Sequence, residues 1–224
     1  MPFFDDTGPR PEQETSLIWR SIAIISDQLE RMIALNLAWS LQIMPLFIAV
    51  LAQLPTWARI LLTTYSIFAL LPASAALFRV LNQASDGVPL SVELVLAGLF
   101  QPAFIKLLPL YSLFYWLGML AWFAAQNNWF LVDVLARLLI LLLALVSMHW
   151  AGLFTRRPEL SALQIFTRSL KLSWLKPAPT LLAGFYSLAA ILLGIISIGG
   201  IFLIVPVLLV LIQIQLSRFV NIDQ

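Results

Sequence analysis

The chain has no cysteine and a single histidine, His149. Disulfides, thiolate metal sites and cysteine nucleophiles are therefore excluded, as is every motif that needs two histidines on one metal. No Gly-x-Ser-x-Gly string is present to hold a serine nucleophile. Carboxylate pairs for acid–base work are also missing from the apolar segments, where Asp133 is the sole acidic residue. These absences argue against an enzyme, and no cofactor or metal is expected.

Charge is scarce as well. Charged residues make up 11% of the chain, against about 25% in a soluble domain. The net charge of +2 is small and the basic residues are dispersed, so a nucleic-acid partner is not expected. Met1 to Thr15 is polar and carries Asp5, Asp6, Glu12 and Glu14. It lacks the basic stretch and apolar core of a signal peptide. The first span is thus expected both to target the chain and to stay in the membrane.

What fills the chain instead is apolar sequence, 61% of all residues, with a mean hydropathy of +0.95. Leu138 to Val146 is unbroken Leu, Ile, Ala and Val, and Thr180 to Leu216 contains no charged residue. A hydrocarbon core about 30 Å thick needs roughly 20 apolar residues of helix to cross it. The expected fold is all-α: a polytopic transmembrane helical bundle of about six spans with cytoplasmic amphipathic helices. The spans fall near 33–53, 58–80, 107–125, 131–153, 179–198 and 200–219. A five-span arrangement with one re-entrant segment competes, because the Gly199–Gly200 step makes a very tight hairpin.

Residues 1–15, with Pro2, Gly8, Pro9 and Pro11, read as a flexible tail, and 16–224 as a single membrane domain. Ile18, Ile22, Ile25, Leu29 and Ile33 recur at helical spacing, which predicts an amphipathic helix at the interface. In the 81–106 connector, Asp86-Gly87 signals a turn before a short helix. In the 155–178 connector, Leu160, Leu163, Phe166, Leu170 and Trp174 form a stripe beside Arg168 and Lys171. That stripe is a candidate face for docking on the membrane surface or on a partner.

Of the 13 Lys and Arg, all but Arg59 and Arg137 fall on one side of this arrangement. The positive-inside bias places that side, with both termini, in the cytoplasm. Trp39, Trp57, Trp116, Trp122, Trp129 and Trp150 lie mostly near span ends and are expected as interfacial anchors, with ligand stacking the alternative. His149 is expected as an interfacial polar group. Ala183, Ser187, Ala190 and Gly194 give the small-residue spacing that lets a neighbouring helix approach closely, whether in this chain or another. Asp133 and Arg137 form the candidate intramembrane polar pair, at i and i+4 with the acid first. Either Arg137 snorkels outward to a barely submerged Asp133, or the pair faces the bundle interior beside Thr63, Thr64 or Tyr65 and lines a cavity.

Leu35-Asn36-Leu37-Ala38-Trp39 and Leu71-Pro72-Ala73-Ser74-Ala75-Ala76-Leu77-Phe78-Arg79-Val80 resemble the YesL-like family of bacterial multi-pass membrane proteins, a domain of unknown function. The family-like positions are Asn36, Trp39, Pro72, Ala73, Ala76 and Leu77. The segment from Asn36 to Pro72 is longer than the family's usual spacing. The resemblance implies a protein of the bacterial cell membrane, associated with carbohydrate uptake, and supplies no catalytic residues. The expected function is a non-enzymatic accessory or regulatory component whose partners are the bilayer and a transporter or other membrane protein. The alternative is a permease-type subunit of a small-solute transporter. Against it, the loop before Lys176 lacks the Glu-Ala-Ala string and glycine of such permeases. A topology reporter fused after Gln224, or placed near Asp86 or Arg156, should report cytoplasm, and one near Asn127 the opposite side. An external signal after Gln224 would mean that 179–219 crosses an odd number of times.

Overall fold

A computed structural model describes residues 16–99, 102–197 and 200–220, and all regular structure among them is helical. The expected tail at 1–15 and the Gly199 half of the glycine step lie outside the described residues. The helices are α1 (Ser16–Asp27), α2 (Leu29–Leu51), α3 (Thr56–Ser85), α4 (Val92–Leu99), α5 (Leu107–Gln126) and α6 (Phe130–Ser147). They are followed by α7 (Trp150–Arg156), α8 (Ala162–Leu175), α9 (Pro177–Ile196), α10 (Gly200–Leu203) and α11 (Val205–Phe219). A 3-10 turn, Pro102–Lys106, leads into α5.

Among the described residues, five helical stretches are long and apolar enough to cross a membrane: Leu29–Ala49, Thr56–Ser85, Pro102–Gln126, Phe130–Arg156 and Pro177–Ile196. Many of their outward residues are apolar too, with Leu41, Phe68, Phe130, Leu131 and Ile196 all exposed. So extensive an apolar exterior is compatible with a bilayer as its surroundings. The sixth expected span takes a different form. It divides into α10 and the 15-residue α11, and most of α11 is enclosed by the bundle. Val207, Leu211, Ile212, Ile214 and Leu216 are fully buried, and α1, α3, α7 and α9 pack around it.

Local chemistry sets the joints. The 30 residues of α3 reach about 45 Å at 1.5 Å per residue, beyond the expected 58–80. The helix stops at Asp86, and Gly87 takes φ +83°, a left-handed conformation that glycine adopts without strain. Asn128 plays the equivalent part between α5 and α6, at φ 57°. A capping box opens α8: Ser161 Oγ accepts from the Gln164 backbone N–H, and Gln164 Oε1 accepts from the Ser161 N–H. Lys176 then serves as the last cap of α8 and the first of α9, with Pro177 at the opening position where its missing N–H costs nothing.

At the end of the bundle where α3 stops, side chains tie the elements together. Arg31 Nη1 donates to the Leu90 carbonyl at 2.9 Å, and the Leu90 N–H donates to Gln28 Oε1 at 2.9 Å. These bonds hold the α1–α2 joint against the segment after α3. Arg218, in the last turn of α11, reaches the carbonyls of Ser85 and Asn82 and pairs with Asp86 at 2.6 Å. A cation on the terminal carbonyls of α3 also complements that helix's dipole.

The break between α10 and α11 has a specific cause and a specific repair. Pro206 has no N–H, so the Phe202 carbonyl four residues earlier loses its helical partner. Ser40 Oγ donates to that carbonyl at 3.2 Å. Asn36, one turn earlier on α2, inserts its amide into the next helical bond. Its Nδ2 donates to the Leu203 carbonyl at 2.6 Å, and its Oδ1 accepts from the Val207 N–H at 2.9 Å. Asn36 and Ser40 are both buried. Asn36→Leu should therefore destabilise the protein by about 2 kcal/mol or more, because two backbone groups lose partners in a dry interior. Adding Pro206→Ala should recover part of that loss by letting the helix close. Thermal unfolding of the purified protein in detergent measures both, and an unchanged midpoint in Asn36→Leu would exclude the clip.

Candidate functional site: an aromatic cavity at the centre of the bundle

The two family-like strings come together in space. Asn36 and Trp39 lie on α2, which packs along α3 and its Pro72 to Leu77 segment. Ala73, Ala75, Ala76 and Leu77 are buried, and the small side chains of the three alanines allow the close approach. Pro72 sits inside α3 rather than at its start. Ser74 faces the middle of the bundle, where Trp39 Nε1 donates to its Oγ at 3.2 Å. Tyr111 of α5 lines the same two cavities as Ser74, and its hydroxyl approaches the Ser74 side chain. Ser74 thus sits where α2, α3 and α5 meet.

Two cavities meet at this trio. The larger, about 450 Å³, is walled by Trp39, Ser40, Phe47, Tyr111, Phe114, Trp150, Phe202, Pro206 and Gln213, among others. The second, about 360 Å³, shares Trp39, Ser74 and Tyr111 and continues along Leu70, Leu71, Leu108 and Tyr115. Trp150 is only 2% exposed and packs edge-on to Tyr111 at 5.9 Å and to Phe114 at 5.8 Å. Phe47 meets Phe202 in the same manner at 6.1 Å. Among the described residues no charged side chain lines either cavity. Most hydroxyls on the walls are already bonded: Ser40 to Phe202, Ser74 to Trp39, and Ser147 to the Ala144 carbonyl. The lining therefore offers aromatic and aliphatic surface with few free polar groups, and 450 Å³ falls within the roughly 300–1,000 Å³ typical of ligand pockets.

Elsewhere the structure redistributes the expected residues. Trp57, Trp116, Trp122 and Trp129 are exposed, as anchors would be, but Trp150 belongs to the core and Trp39 to the cavity wall. His149 is fully buried rather than interfacial, with Nε2 3.0 Å from Thr180 Oγ1 of α9. Asp133 and Arg137 do pair, at 2.8 Å, but Arg137 is 65% exposed and Asp133 19%. The pair rides on the outer side of α6, lines neither cavity, and is held by the helix repeat alone. Tyr65 instead donates to Gln42 of α2, at 3.3 Å.

The stripe on α8 is split. Phe166 turns towards the core, joined by Ile165 and Leu172, while Leu163, Leu170 and Trp174 face outward, Trp174 at 86% exposure. On α9 the small residues Ala183, Ser187, Ala190 and Gly194 form the buried face. The helices packed on α9 belong to this same chain, α11 above all. Sequence reasoning missed Ser74 and Tyr111 as partners. Ser74 stood inside the quoted string, but nothing along the chain ties it to a tyrosine on α5.

The fold and cavity define an all-helical bundle with five helices of membrane-crossing length around a charge-free centre. No family model, curated protein or solved structure matches the chain. Ser74→Ala should cost about 1–3 kcal/mol, since the Trp39 indole N–H loses its partner in a dry site. Tyr111→Phe should destabilise the parent chain yet be nearly silent in the Ser74→Ala background. A thermal double-mutant cycle reads the coupling, and strict additivity would remove the trio as a unit.

Proposed function

We propose that the chain is a non-enzymatic accessory or regulatory component of the cytoplasmic membrane, which binds an apolar or weakly amphipathic molecule in its central cavity. The observation that carries this reading is the cavity's lining. Its walls are aromatic and aliphatic, and it holds no charged side chain. A carbohydrate or other strongly polar solute would be stripped of water there with few hydrogen bonds in exchange, which weighs against the permease reading. A hydrocarbon or steroid-like body would lose nothing.

In the proposed orientation, the end bearing Arg31, Lys106, Arg156, Arg168, Lys171 and Arg218 faces the cytoplasm, where the positive-inside bias puts it. There α8 offers Leu163, Leu170 and Trp174 to the bilayer surface or to a membrane partner. The YesL-like resemblance makes a carbohydrate-uptake system the first partner to try.

Native mass spectrometry of protein purified in mild detergent should show a bound apolar molecule. Ile43→Trp, which adds volume to the cavity wall, should lose it while remaining folded. Leu170→Asp with Trp174→Asp should keep the ligand and reduce recovery of the co-purifying partner. No bound molecule in the parent protein, or equal occupancy in Ile43→Trp, would overturn the cavity reading.

A further inference from the structure

A third cavity, separate from the two that meet at Trp39 and Ser74, opens where α3 and α7 end. It measures about 290 Å³ and is lined by Arg79, Asn82, Gln83, Phe154, Thr155 and Pro158. Arg79, Asn82 and Gln83 stand at i, i+3 and i+4 on α3, so their side chains share one helix face. Among the described residues these three side chains make no hydrogen bond and no ion pair. The arrangement is costly at the two amide oxygens, Asn82 Oδ1 and Gln83 Oε1, which have given up water without gaining a partner.

The orientation of the amides is informative. Asn82 Oδ1 and Gln83 Oε1 are buried and out of reach, so the amide nitrogens are the polar ends that a guest in the cavity can meet. The floor is therefore a set of donors: a guanidinium fork and two N–H₂ groups. Lys106 adds positive charge at the rim, where its Nζ donates to the Pro158 carbonyl. The Thr155 hydroxyl gives its proton to the carbonyls of Ala151 and Gly152, which leaves its oxygen free to accept.

From this juxtaposition we infer that the cavity binds a phosphate ester, with the phosphate on Arg79, Asn82 and Gln83. A carboxylate has two oxygens and is satisfied by one arginine fork. A tetrahedral phosphate offers more acceptors and can engage three separate donors. The space is also larger than a bare phosphate needs: 290 Å³ is the share of roughly ten waters at about 30 Å³ each. The surplus lies against Phe154 and Thr155, where the alcohol part of the ester would rest, with a hydroxyl donating to Thr155 Oγ1. A phospholipid headgroup and a soluble phosphate ester share this chemistry.

Isothermal titration of the full-length protein in non-ionic detergent separates the two sources, with glycerol phosphate, a short-chain phosphatidylglycerol and inorganic phosphate as probes. Saturable binding of at least one ester is expected. Binding of the lipid alone assigns a headgroup site, and equal binding of glycerol phosphate assigns a soluble ester. Arg79→Gln and the isosteric Gln83→Glu should each weaken binding by about tenfold or more, through loss of a charge-assisted bond and through repulsion. Gln83→Glu barely alters shape, so with an unchanged gel-filtration profile it tests the site even if Arg79→Gln folds poorly. No saturable binding of either ester, or affinities in Gln83→Glu equal to the parent's, would overturn the proposal.

Discussion

A broken helix at the centre of a dry bundle is the constraint on which the other arrangements depend. Pro206 removes one helical bond of the α10–α11 segment, and the carbonyls of Phe202 and Leu203 must find other donors. In an interior without water each unpaired group is expensive, and irregular backbone survives only where protein re-satisfies it. Ser40 and Asn36 supply that satisfaction from one face of α2. The consequence is positional. With α2 fixed against the break, Trp39 is carried to the opposite partner, α3, where Ser74 receives its N–H. The aromatic cavity lies between these two attachments and is walled by residues of both.

Polar side chains inside the bundle serve mainly as joints, which accounts for the character of the cavity. Ser74 accepts from Trp39 between α3 and α2, His149 at the start of α7 meets Thr180 of α9, and Gln215 donates to Ser85 at 2.7 Å between α11 and α3. Groups committed in this way are not available to a polar ligand. What is left among the lining residues is mainly aromatic and aliphatic surface, with Trp150 Nε1 and Gln213 Oε1 the unpaired polar atoms, an environment that selects chiefly by shape and apolarity.

The end of the bundle around Asp86 follows the opposite logic. Arg218 closes α3 by binding its last carbonyls and Asp86, and Arg31 and Gln28 hold the neighbouring loop. Beside this network, in which Arg218 Nε is itself buried without a partner, Arg79, Asn82 and Gln83 are left without side-chain partners. What sets these three apart is the cavity that they line together.

Helical class, the positions of the long apolar segments, the Asp86-Gly87 stop and the small-residue face of α9 were all legible along the chain. Each depends on local composition or helical period, which are properties of consecutive residues. The capping box of Ser161 and Gln164 was equally local and could have been read as a helix start. Asp133 and Arg137 could be paired from spacing, but the side of α6 they occupy could not, because that depends on which neighbours α6 acquires. The same holds for Trp39 and Trp150: a tryptophan near a span end satisfies an interface and a cavity wall equally well until packing decides. Asn36 shows the limit most clearly. Its partners lie at sequence separations of 167 and 171 residues, and no pattern in the chain links an asparagine on the first long helix to a proline in the last. Local physics thus determined which segments are helical and where they stop. Tertiary packing decided which face of the long apolar helices meets protein, because many of their outward residues are as apolar as the core.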